Sequence, residues 1–113
     1  MTCYAVGYLH NVRMGPEIIS YLEGIDATLA PFHGRFVIHG GPRVALEGAC
    51  ERDLIVIAFP DKVTARAWYA SPAYQELLPL RQRNADGDVF LIEGVGEAHR
   101  ATDILSPLPA SRS

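Results

Sequence analysis

The stretch "DLIVIAF", Asp53–Phe59, is apolar on both of its sides. Successive side chains of a strand point to opposite faces. Leu54, Val56 and Ala58 therefore form one side, and Ile55, Ile57 and Phe59 the other. "DVFLIEG", Asp88–Gly94, repeats the pattern, with Val89 and Leu91 against Phe90 and Ile92. An antiparallel sheet with one wet face alternates apolar and polar residues. These strands do not alternate, so the sheet they build needs cover on both faces.

The rest of the chain supplies the partners. "CYAVGYL" (Cys3–Leu9) is rich in strand formers, and Gly15-Pro16-Glu17 looks like a helix start. Ile18, Leu22, Ile25, Leu29 and Phe32 follow along one helical face, with a kink or break expected at Gly24 or Pro31 and a C-cap at Gly34. "RFVIH" (Arg35–His39) is a second strand with Val37 and His39 on one side, "GGPR" a turn and "VALEG" a short extended arm. After Asp53–Phe59, Asp61 caps a second helix with apolar positions Val63, Ala67 and Ala70. Ser71 and Pro72 restart it, and Pro79 is expected to interrupt it. Asp86-Gly87 marks a turn before the last strand.

The order β-α-β-β-α-β is the split βαβ pattern of ferredoxin-like folds, an α+β class. Both helices then lie on one face of an antiparallel sheet. Residues 1–95 form a single domain, and 96–113 a C-terminal extension, partly irregular. Two covers are open for the second sheet face. A second copy can pack on it across a two-fold axis, giving a homodimer, or the C-terminal tail can fold over it.

With 113 residues the chain has room for a core without staples. Ten basic against 13 acidic residues leave a net charge of −3, so nucleic acid is not expected as a partner. No segment approaches the ~20 apolar residues of a membrane span, and "MTCYAVGYLH" lacks the pattern of a signal peptide. A cytoplasmic location is expected. Cys3 and Cys50 have no metal or redox spacing and read as free thiols.

The Gly-Gly after the second strand, "LEG", "VIAFPDKVTARAWYASPAYQELLPLR" and the final "LIEGV" resemble the DUF1330 family. The likeness covers residues 3–95 and is most specific at Ala67-Trp68-Tyr69, Ser71-Pro72 and Tyr74-Gln75. It implies a dimeric α/β barrel of ferredoxin-like protomers. The wider superfamily includes cofactor-independent monooxygenases, haem-degrading enzymes and small isomerases, which often use the cleft between sheet and helices. The chain departs from the family pattern at Gly15-Pro16, at His33 and at His39, where arginine is common in the family.

His39 is the best single candidate for chemistry. It ends a strand beside Gly40-Gly41, and an imidazole there can take a proton from a phenol or an enolisable carbon. The bland reading is a strand-end histidine bonded to backbone. Trp68, Tyr69 and Tyr74 are candidate substrate-binding aromatics or simply core. Arg81 suits a ligand carboxylate or phenolate, or a surface ion pair with Glu76 or Asp86. Tyr8 and His10 share a strand face and can rim the same pocket or end a strand at the surface. His10, His33, His39 and His99 show no ligand-like spacing, so no metal is expected. No Gly-rich phosphate loop follows the first strand, so no cofactor is expected either.

The expectation is a small cofactor-independent enzyme acting on an aromatic or polyketide-like molecule. It would work by proton abstraction, with oxygenation or isomerisation to follow. The alternative is a non-catalytic homodimer that binds a small molecule in the same pocket.

Overall fold

The computed structural model describes residues 1–105. The elements are β1 (Cys3–His10), α1 (Pro16–Leu29), a 3₁₀ turn (Ala30–Phe32), β2 (Arg35–His39), β3 (Asp53–Phe59), α2 (Lys62–Ala70), α3 (Pro72–Gln82), β4 (Asp86–Glu93) and a second 3₁₀ turn (Ala101–Leu105). The four strands form one sheet in the order β2-β3-β1-β4, with every pairing antiparallel. This is the ferredoxin-like α+β arrangement. No helix among the described residues is long and apolar enough to cross a membrane.

The register sorts each strand into an inner and an outer side. Cys3 pairs with Phe59 and Glu93, Ala5 with Ile57 and Leu91, and Gly7 with Ile55 and Val89. These rows face the helices, and Cys3, Ala5, Ile57 and Phe59 join the core beneath them. On the other side Tyr4 pairs with Ala58 and Ile92, and Val6 with Val56 and Phe90. Ile38 extends that row onto β2 beside Val56. Much of this outer face is open among the described residues: Phe90 is 46% exposed and Ile92 54%, while Ala58 is buried.

Local chemistry accounts for the helices. Asp61 accepts a hydrogen bond from the Thr64 amide at 2.7 Å, and Ser71 one from the Tyr74 amide at 3.3 Å. Each cap satisfies one of the amides that a helix start leaves orphaned. Ser71 also ends α2 in extended backbone (ψ 143°), so it closes one helix and opens the next.

Several expectations need correction. α1 runs unbroken through Gly24, which lies where Leu77 of α3 crosses; a Cβ there would stand 3.0 Å from Leu77 Cδ1. The glycine allows close helix packing and makes no kink. The chain instead leaves α1 through the 3₁₀ turn at Pro31, and His33, with φ 58°, takes the left-handed cap position expected of Gly34. α3 continues through Pro79 to Gln82, and the Arg83 amide donates to the Pro79 carbonyl at 3.0 Å at its end. α2 buries Ala65 and Trp68 and leaves Val63 and Ala67 outside, the opposite of the expected face. β4 starts at Asp86, so Asp86-Gly87 opens the strand and the turn lies just before it.

The arm from Gly41 to Arg52 is irregular, with Val44 and Leu46 fully in solvent. Arg43 holds it by donating to the carbonyls of Cys50, at 2.9 Å, and Arg52. Cys3 is buried in the core and Cys50 is exposed. After β4 the chain forms the turn at Ala101–Leu105, and residues 106–113 lie outside the described part.

Candidate functional site

The register row His39–Ile55–Gly7–Val89 runs straight across all four strands on the inner side. It is the floor of an apolar cavity of about 300 Å³ that opens between sheet and helices. That size is at the lower end for small-molecule sites. Gly7 keeps the middle of the floor low. A Cβ added there would meet Ile55 Cβ and Leu9 Cγ at 3.8 Å and Leu9 Cδ1 at 3.9 Å, all ordinary contacts. Ile18, Tyr21 and Ile25 of α1 and Trp68 and Tyr74 of α2 and α3 line the cavity.

His39 reaches this cavity because β2 does not keep a regular alternation. A bulge lies between Phe36 and Ile38, so Phe36 pairs with Ile57 and His39 with Ile55, both on the inner side. The expected grouping of Val37 with His39 against Phe36 therefore fails, since the bulge inserts one residue into the period of two. The Phe36 and His39 rings stack with centroids 4.4 Å apart and planes 15° apart. That stack fixes the imidazole plane at the cavity mouth, where His39 is exposed to solvent. Gly40 and Asp53 line the same mouth.

Tyr21, Trp68 and Tyr74 make the aromatic wall on the helix side of the cavity. Trp68 lies 4.2 Å from Tyr74 and 5.2 Å from Phe59, centroid to centroid. Its indole N–H donates to Thr28 Oγ1 at 3.0 Å, and Thr28 in turn donates to the Ile25 carbonyl at 2.7 Å. The Trp68 polar edge is thus fully occupied, and the ring acts as a wall. The Tyr21 and Tyr74 hydroxyls share a buried hydrogen bond of 2.7 Å, joining α1 to α3. Burial pushes the Tyr21 hydroxyl far above its ordinary pKa, with the adjacent Tyr74 adding to the effect and Arg81 opposing it. Burial works against the Arg81 charge, but the Tyr74 and Tyr21 hydroxyls outweigh it, and the guanidinium is held above its usual range.

Of the candidate residues, His39, Trp68, Tyr74 and Arg81 meet around this one cavity. Tyr69 stands beside it. Its ring is 5.5 Å from Tyr74, and it lines a more open, polar recess with Arg81, Asp86 and Val89. Tyr8 and His10 do not join them. They lie on the outer side, in register with Asp88 and Asp86, because the inner residues of β1 are Ala5, Gly7 and Leu9. Tyr8 instead carries Arg52 over its ring at 5.2 Å, and His10 Nδ1 is buried without a hydrogen-bond partner. Arg81 makes no ion pair with Glu76 or Asp86; among the described residues those pairs are Arg52–Asp88, Arg83–Glu17 and His99–Asp103. The described residues hold no cluster of three or more His, Cys, Asp or Glu side chains that could bind a metal.

Sequence reasoning missed Gly7 and Tyr21. Tyr21 carried a signal, since Ile18, Tyr21, Ile25 and Thr28 follow a 3-4-3 helical spacing and are the residues α1 buries together with Leu29. Gly7 carried none beyond being a glycine inside a strand, which marks a bulge or a close approach.

A ferredoxin-like protomer with a ligand-sized cavity between sheet and helices, and one open sheet face, defines the class of this protein. The family model described as "Domain of unknown function (DUF1330)" matches residues 2–95, and the chain belongs to that family. No curated protein matches the chain. Among solved structures it is similar to a protein of unknown function from Rhodopseudomonas palustris, with 17% identity, 84% of this chain and 83% of that one covered, and a TM-score of 0.63. A dimeric ferredoxin-like protein of unknown function from Jannaschia sp. CCS1 matches at 18% identity, over 83% of this chain and 100% of that one, with a TM-score of 0.62. SnoaB, a cofactor-independent oxygenase from Streptomyces nogalater, matches at 16% identity, over 88% of this chain and 96% of that one, with a TM-score of 0.54. At these identities the likeness establishes the fold.

Proposed function

We propose that this protein is a cytoplasmic homodimer that binds a small aromatic or polyketide-like molecule in the cavity and abstracts a proton from it without a cofactor. The observation that carries this reading is the placement of His39 at the mouth of an otherwise apolar cavity, its ring stacked on Phe36. A neutral imidazole there accepts the proton as the carbon–hydrogen or phenol O–H bond breaks. The electron pair stays on the substrate and spreads over its π system. Return of the proton at another carbon gives isomerisation. Transfer of electrons from the anion to dioxygen opens oxygenation, the activity class of SnoaB. Trp68 and Tyr74 supply flat apolar walls for the ring, and Tyr69 lines the adjoining recess.

Deuterium exchange at the enolisable carbons of 2-tetralone tests the reading, because it needs proton abstraction and nothing else. The wild-type protein in D₂O is expected to accelerate exchange. His39→Ala is expected to lower that rate by about 10²–10⁴-fold, the usual worth of a general base, with 2-tetralone affinity within a few-fold of wild type. Binding without acceleration in either form would support the second reading, a non-catalytic binding homodimer using the same cavity.

A further inference from the structure

We propose that the ligand of this cavity is an elongated aromatic carboxylate, anchored by its carboxylate on Arg81 and the Tyr21–Tyr74 pair, far from His39. The inference rests on the reading of the cavity as a ligand site and names the chemistry it selects. Arg81 is half-buried, lines the cavity and forms no ion pair or side-chain hydrogen bond to a carboxylate among the described residues. A guanidinium carries five donors in a rigid fork that matches a carboxylate. Its polar neighbours in the cavity are the Tyr74 and Tyr21 hydroxyls, and neither brings a counter-charge.

The two tyrosines sharpen the point. They own two hydroxyl protons and spend one on their mutual 2.7 Å hydrogen bond. No backbone or side-chain acceptor among the described residues takes the second. Arg81, Tyr21 and Tyr74 line the same cavity, and the guanidinium and the spare phenol proton are both donors. A carboxylate has acceptor sites enough for both. An amine or a cation is repelled there.

Position decides that this group anchors the ligand and does not touch the reacting carbon. Arg81 also borders the recess formed by Ala85, Asp86 and Val89, at the β4 edge. His39 sits on β2, the opposite edge of the sheet. Three interstrand steps separate His39 from Val89 along the floor row, roughly 14 Å between backbones. One enolate unit cannot span both groups. A molecule with its acid at one end and its acidic carbon or phenol at the other can.

The test compares 2-naphthoate with its neutral isostere 2-naphthamide by calorimetric titration of the full chain. The acid is expected to bind about tenfold tighter or more, the value of a charge-assisted hydrogen-bonded contact. Arg81→Gln should abolish the preference, weakening the acid about tenfold more than the amide. Tyr74→Phe, which removes the shared hydroxyl while keeping the ring, should cut the preference several-fold, and it decides the matter if Arg81→Gln fails to fold. Equal affinity of wild type for acid and amide, or a preference that survives in Arg81→Gln, overturns the anchor but leaves the cavity as a ligand site. Failure of both compounds to bind overturns the anchor together with the ligand-site reading.

Discussion

Lysine in place of Val56 is expected to abolish association of this protein. Val56 sits at the centre of the outer sheet face, in register with Val6 on one side and Ile38 on the other. Tyr4, Phe90 and Ile92 extend the same surface. A contiguous apolar patch of this kind exceeds what monomers usually expose, and a second copy across a two-fold axis would bury it. Each lysine would then face the partner's apolar sheet without a counter-charge. An uncompensated buried charge costs roughly 3–5 kcal/mol, and the two-fold repeats it in the second protomer. Every 1.4 kcal/mol is about a tenfold change in affinity, so the dimer is expected to weaken by more than about a thousandfold. Light scattering at micromolar concentration should give about twice the 12.4 kDa chain mass for the wild type. Val56→Lys should give the single-chain mass or precipitate. A monomeric wild type would remove the proposed dimer.

Leucine in place of Gly7 is expected to weaken ligand binding about ten- to a hundredfold while leaving the fold intact. Gly7 has ordinary strand backbone, with no positive φ to preserve, and the space above it is the cavity itself. A leucine side chain would rise from the middle of the floor between Ile55 and Val89. Glycine inside a strand costs about 0.5–1 kcal/mol relative to alanine, so the variant should melt at or above the wild-type temperature. Overlap between side chain and ligand costs roughly 1–3 kcal/mol or more, about ten- to a hundredfold in affinity. A cavity that is only a packing flaw would give the stability gain with no loss of binding. Thermal melting and titration with 2-tetralone together separate the two cases.

Much of this architecture is legible in the sequence. Strand positions, the caps at Asp61 and Ser71, and the demand for cover on both sheet faces follow from patterns of two to four residues, where local chemistry decides. The site was harder for reasons tied to particular residues. A strand that is apolar on both sides does not say which side meets the helices, so Tyr8 and His10 were grouped with a pocket that lies behind the sheet from them. A period of two assumes a regular ladder, and the bulge between Phe36 and Ile38 breaks it. That single insertion puts His39 with Phe36 inside. The apolar count of α2 favours Val63, Ala67 and Ala70, whereas packing chooses Ala65, small enough for close approach, and Trp68, with the largest area to bury. Gly24 read as a weakness in α1 because the crossing of Leu77 is a tertiary fact.

The central claim is that the row His39–Ile55–Gly7–Val89 floors a ligand site. Backbone amide chemical shifts during titration with 2-tetralone test it most directly. The account predicts shifts at these four residues and at Trp68 and Tyr74, with Val6, Val56 and Phe90 of the outer face unmoved. Shifts confined to the outer face, or none at millimolar 2-tetralone, would contradict it.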